Sequence, residues 1–429
     1  MARNVRMGGL GGFDGLPFEL ILHIMGFLPT KDAVRTSILS TKWRNRFVLL
    51  SSFDLYDCLQ NLSPANIDKF SLFVDRLLSY TRTDIEKFSL YAWKTDHLDD
   101  WIAKLLSRSL RELVLGSERP YTLPDILFTS QTLLSMKLDI GGGDIRFQTN
   151  ITLPSLKNLH VTNFVFTDGS FFNLISTCRV LQELGIFDCE FPDTIVLTFQ
   201  SVSLERFILD STDLVFEIAD QLDHAIEISA PSLSYFKYMD RLASRGYNIT
   251  RMCSLEEAHV RIHQEQRLPF VVDQMLSAHT LFTAINNTRH LNLGINLPEM
   301  IFPEGFVFHN LVILEYECCE DDKDGSWLLK LLHGMPQLKK LVLVKVREMS
   351  LLWTEEVSPC LVNSVQEIEF FLYRRRTEKQ LDMAEYFLRH GSMLQTLTVH
   401  IGVQVSRSRV IERLLGFPRS SVSCRVNPL

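Results

Sequence analysis

The sequence predicts an α/β chain: a solenoid of short parallel strands with the sheet on its concave face, preceded by a small all-α unit of three helices. Two observations lead there. One hexamer frame, apolar-x-x-apolar-x-apolar, recurs thirteen times between Ile85 and Leu394. Ahead of it stands a dense apolar run with helical punctuation, LPFELILHIMGFLPTKDAVRTSILSTKWRNRF, beginning at Leu16.

The bulk properties agree with this reading. A chain of 429 residues allows two or three ordinary domains, or one elongated repeat domain with an appendage. Hydrophobic residues make up 46% and charged residues 22%, the proportions of a folded chain rather than a disordered one. The formal net charge of −7 leaves no global basic excess, which disfavours generic nucleic-acid binding. MARNVRMGGLGG at the start has positive charges but no apolar core before its glycines, so no secretory leader is read. No window reaches the roughly 18 uninterrupted apolar residues of a membrane helix. LPFELILHIMGFLP is too short, and Glu19 and His23 interrupt it. The eight cysteines (Cys58, Cys178, Cys189, Cys253, Cys318, Cys319, Cys360 and Cys424) show no framework spacing and no Cys-x-x-Cys pair. Reduced thiols in the cytoplasm or nucleus are expected.

Residues 1–13 are Gly-rich and expected to be disordered. In the run that follows, Pro17 fits the first position of a helix and Glu19 suits its positive N-terminal end. Leu20, Ile24 and Leu28 fall at i, i+4 and i+8, with Ile21 and Met25 widening the stripe. Pro29 stops this helix. Thr30 is placed to cap a second, in which Ala33, Val34, Ser37 and Ile38 share a face, and Ser40 to cap a third carrying Trp43 and Phe47. Three short helices in about 35 residues make a very small core, which gains from a partner or from docking on the repeats.

The repeats begin after about residue 80. IEKFSL from Ile85, LRELVL from Leu110, LQELGI from Leu181 and LKKLVL from Leu338 show the frame, and Thr288 and Ala258 are its poorest fits. Successive frames start mostly 22–29 residues apart, with a longer gap between Leu255 and Thr288 that marks an insertion. Strand alternation turns the fourth and sixth positions inward. Residues between them, such as Val114, Lys137, His160 and Gly185, face outward. The returns on the convex side read as helix or irregular turns, for example SFFNLISTCRV before Leu181 and WLLKLLHGMPQ before Leu338. Each copy buries its apolar edge only against its neighbours. This frame and period resemble leucine-rich repeats, whose Asn/Cys slot holds Cys189, Cys319 and Asn296 here but Gly141, Phe164, Thr212 or His263 elsewhere. The two cysteines in that slot are read as buried structural thiols.

Two further resemblances concern whole modules. The run from Leu16, within residues 14–54, resembles an F-box, and in particular the plant form with LPTKDAVRTSILS and a following Lys-Trp-Arg; Phe47 stands where a tryptophan is usual. The resemblance implies binding to the Skp adaptor, and through it to a cullin ubiquitin ligase, with contacts at Leu16, Pro17, Leu20, Ile24, Leu28, Pro29, Ile38 and Trp43. Read as residues alone, Leu20, Ile24 and Ile38 would equally serve as core. The segment SPCLVNSVQEIEFFLYRRRTEKQLDMAEYFLRHGSMLQTLTVHI, from Ser358, resembles the FBD module found after leucine-rich repeats in plant F-box proteins. Tyr373-Arg374-Arg375-Arg376 replaces its acidic glycine-containing turn. The implied order is an F-box at 14–54, a leucine-rich-repeat solenoid with linker at 55–356, an FBD module closing it at 357–407, and a C-terminal tail at 408–429.

Other constellations carry less. His259 and His263 lie four apart on an expected strand, about 13 Å and too far for one zinc. Glu320, Asp322, Asp324 and Gly325 begin like a calcium loop, but Leu331 occupies the position of the closing Glu. Gly141-Gly142-Gly143 follows a strand without a phosphate-loop Lys and reads as a flexible turn. Arg374–Arg376 reads as a solvated loop. The sequons at Asn61, Asn150, Asn248 and Asn286 are of a frequency expected by chance. No nucleophile, acid–base pair, metal or cofactor site stands out. The expectation is therefore a non-catalytic substrate receptor of an SCF-type ubiquitin ligase, with no nucleic-acid or membrane partner. Two alternatives stay open: a scaffold that binds the adaptor without promoting ubiquitination, and a sensor whose target site a small molecule completes.

Overall fold

The computed structural model describes residues 16–38, 43, 46–56, 64–81, 83–91, 97–144, 151–166, 170–191, 196–210, 224–241, 245–263, 272–295, 302, 305–317, 326–344, 357–372, 377–402 and 405–429. The chain forms two compact units, one of residues 1–181 with 189–192, the other of 182–188 with 193–429. In the first, α1 (Phe18–Gly26), α2 (Thr30–Arg35) and two 3-10 turns lead into β1 (Ser52–Leu55). Then follow α3 (Pro64–Tyr80), β2 (Lys87–Tyr91), α4 (Leu98–Leu106), β3 (Glu112–Ser117), β4 (Ser135–Asp144), β5 (Asn158–Val165) and α5 (Ser170–Thr177). Strands β1 to β5 pair in chain order, all parallel.

The second unit carries the repeats onward through β6 (Glu183–Phe187), β7 (Val196–Gln200), β8 (Arg206–Asp210), β9 (His224–Ser229), β10 (Tyr235–Arg241), β11 (Arg245–Ile249) and β12 (Glu257–His263). It continues with α6 (Val272–Ala284), β13 (His290–Ile295), β14 (Ile313–Glu317), α7 (Ser326–His333), β15 (Lys340–Val344), α8 (Pro359–Asn363) and β16 (Glu367–Leu372). The chain closes with α9 (Thr377–His390), β17 (Thr396–Ile401), α10 (Arg407–Gly416) and β18 (Arg425–Pro428). Its main sheet runs β6-β8-β10-β12 and then β13 to β18 in order, every pair parallel.

The frame accounts for the core. Leu113 and Leu115, Leu159 and Val161, Leu184 and Ile186, Leu341 and Leu343 are the inward pairs of their strands, and all are buried. The first frame position is buried as well, from Ile85 to Leu394. Thr288, a poor fit in an apolar slot, is fully buried, with its hydroxyl 2.9 Å from the Glu256 carbonyl and 3.0 Å from that of His290. Its proton therefore has an acceptor either way, which removes the penalty of burying it.

Within each unit one backbone device recurs between successive repeats. The carbonyl of the second frame residue accepts two N–H groups from the following repeat. Arg111 O takes Leu134 N at 2.8 Å and Ser135 N at 3.0 Å, and Lys339 O takes Gln366 N at 2.8 Å and Glu367 N at 3.0 Å. Both lone pairs are used, and the register is set before the strand begins.

Several expectations change. The repeats start earlier than residue 80: Leu50, Phe53 and Leu55 follow the frame, are buried, and place β1 beside β2. The 17 residues of α3 had separated this copy from the others. Residues 408–429 are not a tail but α10 and β18, and β18 pairs with β17. Three returns are strands rather than helix or irregular turn: β7, β9 and β11 form a second parallel sheet. Leu197 with Phe199, and Ile226 with Ile228, are its buried alternate residues. The helix α6 fills the long gap before Thr288. Gly141–Gly143 do not form a turn but lie within β4, where the register with β5 shifts between Asp139 and Gly143. Gly142 has φ +65°, and a Cβ on Gly141 would stand 2.8 Å from the Glu118 carbonyl oxygen, so this bulge requires glycine.

Cys178, Cys189, Cys360 and Cys424 are buried, and Cys253 is exposed. Cys58, Cys318, Cys319, Asn296, Thr212, the acidic run at 320–325 and Arg374–Arg376 lie outside the described residues, as do residues 1–13. No helix among the described residues is long and apolar enough to cross a membrane.

The frame predicts unequal tolerance. Leu113→Ala should lower stability by about 2–5 kcal/mol in urea unfolding, whereas Lys137→Ala, exposed on the same sheet, should stay within about 0.5 kcal/mol.

A second prediction concerns β15 to β17. Burial pushes the Glu369 carboxyl up, but hydrogen bonds and charges from His400 and Lys340 outweigh it and hold Glu369 below its ordinary value. His400 Nε2 lies 2.7 Å and Lys340 Nζ 3.4 Å from its oxygens. A depressed folded-state value stabilises above the unfolded carboxylate range and loses that stabilisation as pH falls through it. Lowering pH from about 5 to about 3 should therefore reduce the Tm of the wild type more than that of Glu369→Gln; parallel losses would contradict the pairing.

Candidate docking surface on the N-terminal helices

Pro17 precedes α1 with φ −56° and ψ 149°, and its carbonyl accepts the first helical bond from Ile21 N at 3.1 Å. This is the pre-organised start that a helix-opening proline supplies. From there Ile21 and Met25, four residues apart, point into the core at 2% and 0% exposure. The stripe of Leu20, Ile24 and Leu28 is rotated away from that core. Leu20 is 42% exposed, while Ile24 and Leu28 are half-buried. Leu28 is not on the helix, which ends at Gly26 in a tight turn where Phe27 N bonds Ile24 O.

Thr30 is not a cap. It is the first residue of α2, follows Pro29, and is 3% exposed. Its hydroxyl instead accepts the Asp54 N–H at 2.7 Å, a bond that ties α2 to β1. Ala33 is buried, and α2 gives way after Arg35 to a 3-10 turn that leaves Ile38 86% exposed. Ala33 and Ile38 therefore do not share one buried face. Ser40 lies outside the described residues. Trp43 is 2% exposed, so in this chain it is part of the core of the helical unit, unlike the surface residues named with it. Phe47 is half-buried within a 3-10 turn, and the neighbouring Arg46 guanidinium stands 4.7 Å over the Phe18 ring.

The eight sequence-derived positions thus divide. Pro17, Leu20, Pro29 and Ile38 are exposed, Leu16, Ile24 and Leu28 are half-buried, and Trp43 is buried. Phe18 at 39% and Phe27 at 76% join the exposed apolar side chains, and sequence reasoning had not singled either out. Phe27 caps the helix end two residues before Pro29, where helical periodicity stops being a guide; its ring packs edge-on against His23 at 4.8 Å. Full burial of one Leu, Ile or Phe is worth about 1.5–3 kcal/mol. Covering Phe27 and Ile38 could therefore contribute about 3–6 kcal/mol before the costs of association. Among the described residues no group of His, Cys, Asp or Glu has the geometry of a metal site.

Comparison with known proteins places these features in three modules. The F-box domain model matches residues 13–54, a model described as "FBD-associated F-box protein At5g56370, LRR repeats" matches 98–259, and the FBD model matches 354–399. The FBD-associated F-box protein At4g10400 of Arabidopsis thaliana is 28% identical over 433 residues, covering 96% of this chain and 98% of that protein. The F-box/FBD/LRR-repeat protein At4g26340 of the same organism is 28% identical over 435 residues, covering 95% and 97%. The F-box/FBD/LRR-repeat protein At5g56420, also of that organism, is 26% identical over 443 residues, covering 96% and 97%.

If the exposed edge is a surface rather than core, its residues should be dispensable for folding. Phe27→Ser and Ile38→Ser should each shift stability by less than about 1 kcal/mol, while Met25→Ala should lower it by about 2–5 kcal/mol, measured by urea unfolding.

Proposed function

We propose that this chain, an F-box protein with leucine-rich repeats and an FBD module, is the substrate-recognition subunit of an SCF-type ubiquitin ligase. The observation that carries the reading is the set of exposed apolar residues of the F-box, Leu20, Phe27 and Ile38, on a helical unit tied to the first repeat. These residues meet the Skp adaptor. The repeats hold a target protein, and the FBD segment belongs to the repeat array as α8, β16, α9 and β17. The chain does no bond chemistry. It raises the effective concentration of a target lysine near a charged ubiquitin carrier held elsewhere in the complex. The working compartment is the cytoplasm, the nucleus or both.

The test is capture of the full chain by purified Skp adaptor. Wild type should bind, a Leu20→Ala/Ile38→Ala variant should bind at least about tenfold more weakly, and a Leu16→Ala/Pro17→Ala variant should also be weakened. Absence of wild-type binding would overturn the adaptor reading. Equal binding by all three would remove this edge as the contact.

A further inference from the structure

One constellation on the first repeats lies outside the F-box edge. Tyr91, Gly116 and Asp139 are register partners on β2, β3 and β4, and Tyr56 follows β1 at the matching level. All stand on the outward side, because Leu90, Leu115 and Leu138 before them point into the core. The Tyr56 and Tyr91 rings meet at 5.2 Å and 71°. They lie across Gly116: a Cβ there would collide with the Tyr91 ring and stand 2.8 Å from the Tyr56 hydroxyl. The missing side chain is what lets two rings form a platform on a strand. Asp139 borders it, accepting the Tyr56 hydroxyl at 3.4 Å and the Asn163 amide at 2.8 Å.

The electrostatics point the same way. Burial, then the charges of Glu118 and Asp139, push the Tyr91 phenol up. The rings therefore sit in a negative local field. Aromatic faces beside carboxylates attract a cation, and a guanidinium suits them best, since it stacks flat on a ring while its N–H groups reach a carboxylate. The chain uses this motif internally on the second unit: Arg206 lies 3.9 Å over the Tyr235 ring and its Nε is 3.7 Å from Glu183.

We propose that the corner formed by Tyr56, Tyr91 and Asp139, floored by Gly116, binds an arginine side chain presented by a partner protein. The inference rests on the receptor reading only in taking that partner to be the captured target; guanidinium binding itself is independent of it.

The test is titration of the full chain with N-acetylarginine methylamide, its citrulline counterpart and its lysine counterpart, followed by tyrosine-ring NMR. The Tyr91 signals are assigned by their loss in Tyr91→Phe. Arginine should give a saturable shift, with affinity at least about fivefold above citrulline, the neutral isostere. Asp139→Asn should weaken binding by about fivefold. Tyr91→Phe should keep it, read at Tyr56, because the ring face remains. Gly116→Val should abolish it with the far-UV circular dichroism unchanged. No saturable shift, equal affinity for citrulline, or full binding by Asp139→Asn would overturn the proposal. Adaptor capture by the same variants should match wild type. If wild type binds arginine but not the adaptor, the receptor reading falls and the site stands; the converse removes the site alone.

Discussion

A shared carbonyl holds the structure together. Within both units the second frame residue of most repeats offers its oxygen to two N–H groups of the following repeat, and the inward pair of the strand follows from that alignment. Because the strand period is two, a slip of one residue would turn every inward leucine out to solvent. The same device opens the array: Ser51 O accepts Glu86 N at 2.7 Å and Lys87 N at 3.1 Å. Near its end, Gln395 O accepts Arg425 N at 2.8 Å. The helical F-box, too small to be stable alone, is therefore joined to a strand that is itself keyed into the repeats.

That attachment explains how apolar residues can remain on the surface. A helical unit this small must bury what it can to fold. Here Ile21, Met25, Ala33 and Trp43 are buried, Thr30 accepts the Asp54 amide, and β1 follows directly. With folding supported from the repeat side, Leu20, Phe27 and Ile38 are not needed for the core. Exposed apolar residues on an element fixed from its other side are what the proposed docking surface requires.

Much of this was legible in the sequence because the repeat frame is strict where it matters. Thirteen copies declared the inward pairs, and Pro17 declared the start of the first helix. What stayed hidden did so for physical reasons. The copy at Leu50 is a single hexamer isolated by a long helix. The last strand, with Val426 and Pro428 opposite Leu397 and Val399, lacks the leucines that make a frame visible. The returns at 196–200, 224–229 and 245–249 are short alternating runs, which periodicity alone cannot separate from loops. Around the F-box, residue pattern predicted a stripe but not which stripe is buried. Helix geometry chose Ile21 and Met25, and Trp43 proved to be core. Phe27 and the Tyr56–Tyr91–Gly116 corner needed three dimensions, since each depends on a turn or on neighbours more than 20 residues away.

The central claim is that the F-box edge, held by the first repeat, is where the adaptor docks. Hydrogen–deuterium exchange of the full chain with and without purified Skp adaptor tests it most directly. The account predicts new protection confined to residues 16–38, with the strands of both units unchanged. Protection that skips those residues and falls on the outward faces of the repeat strands would contradict it.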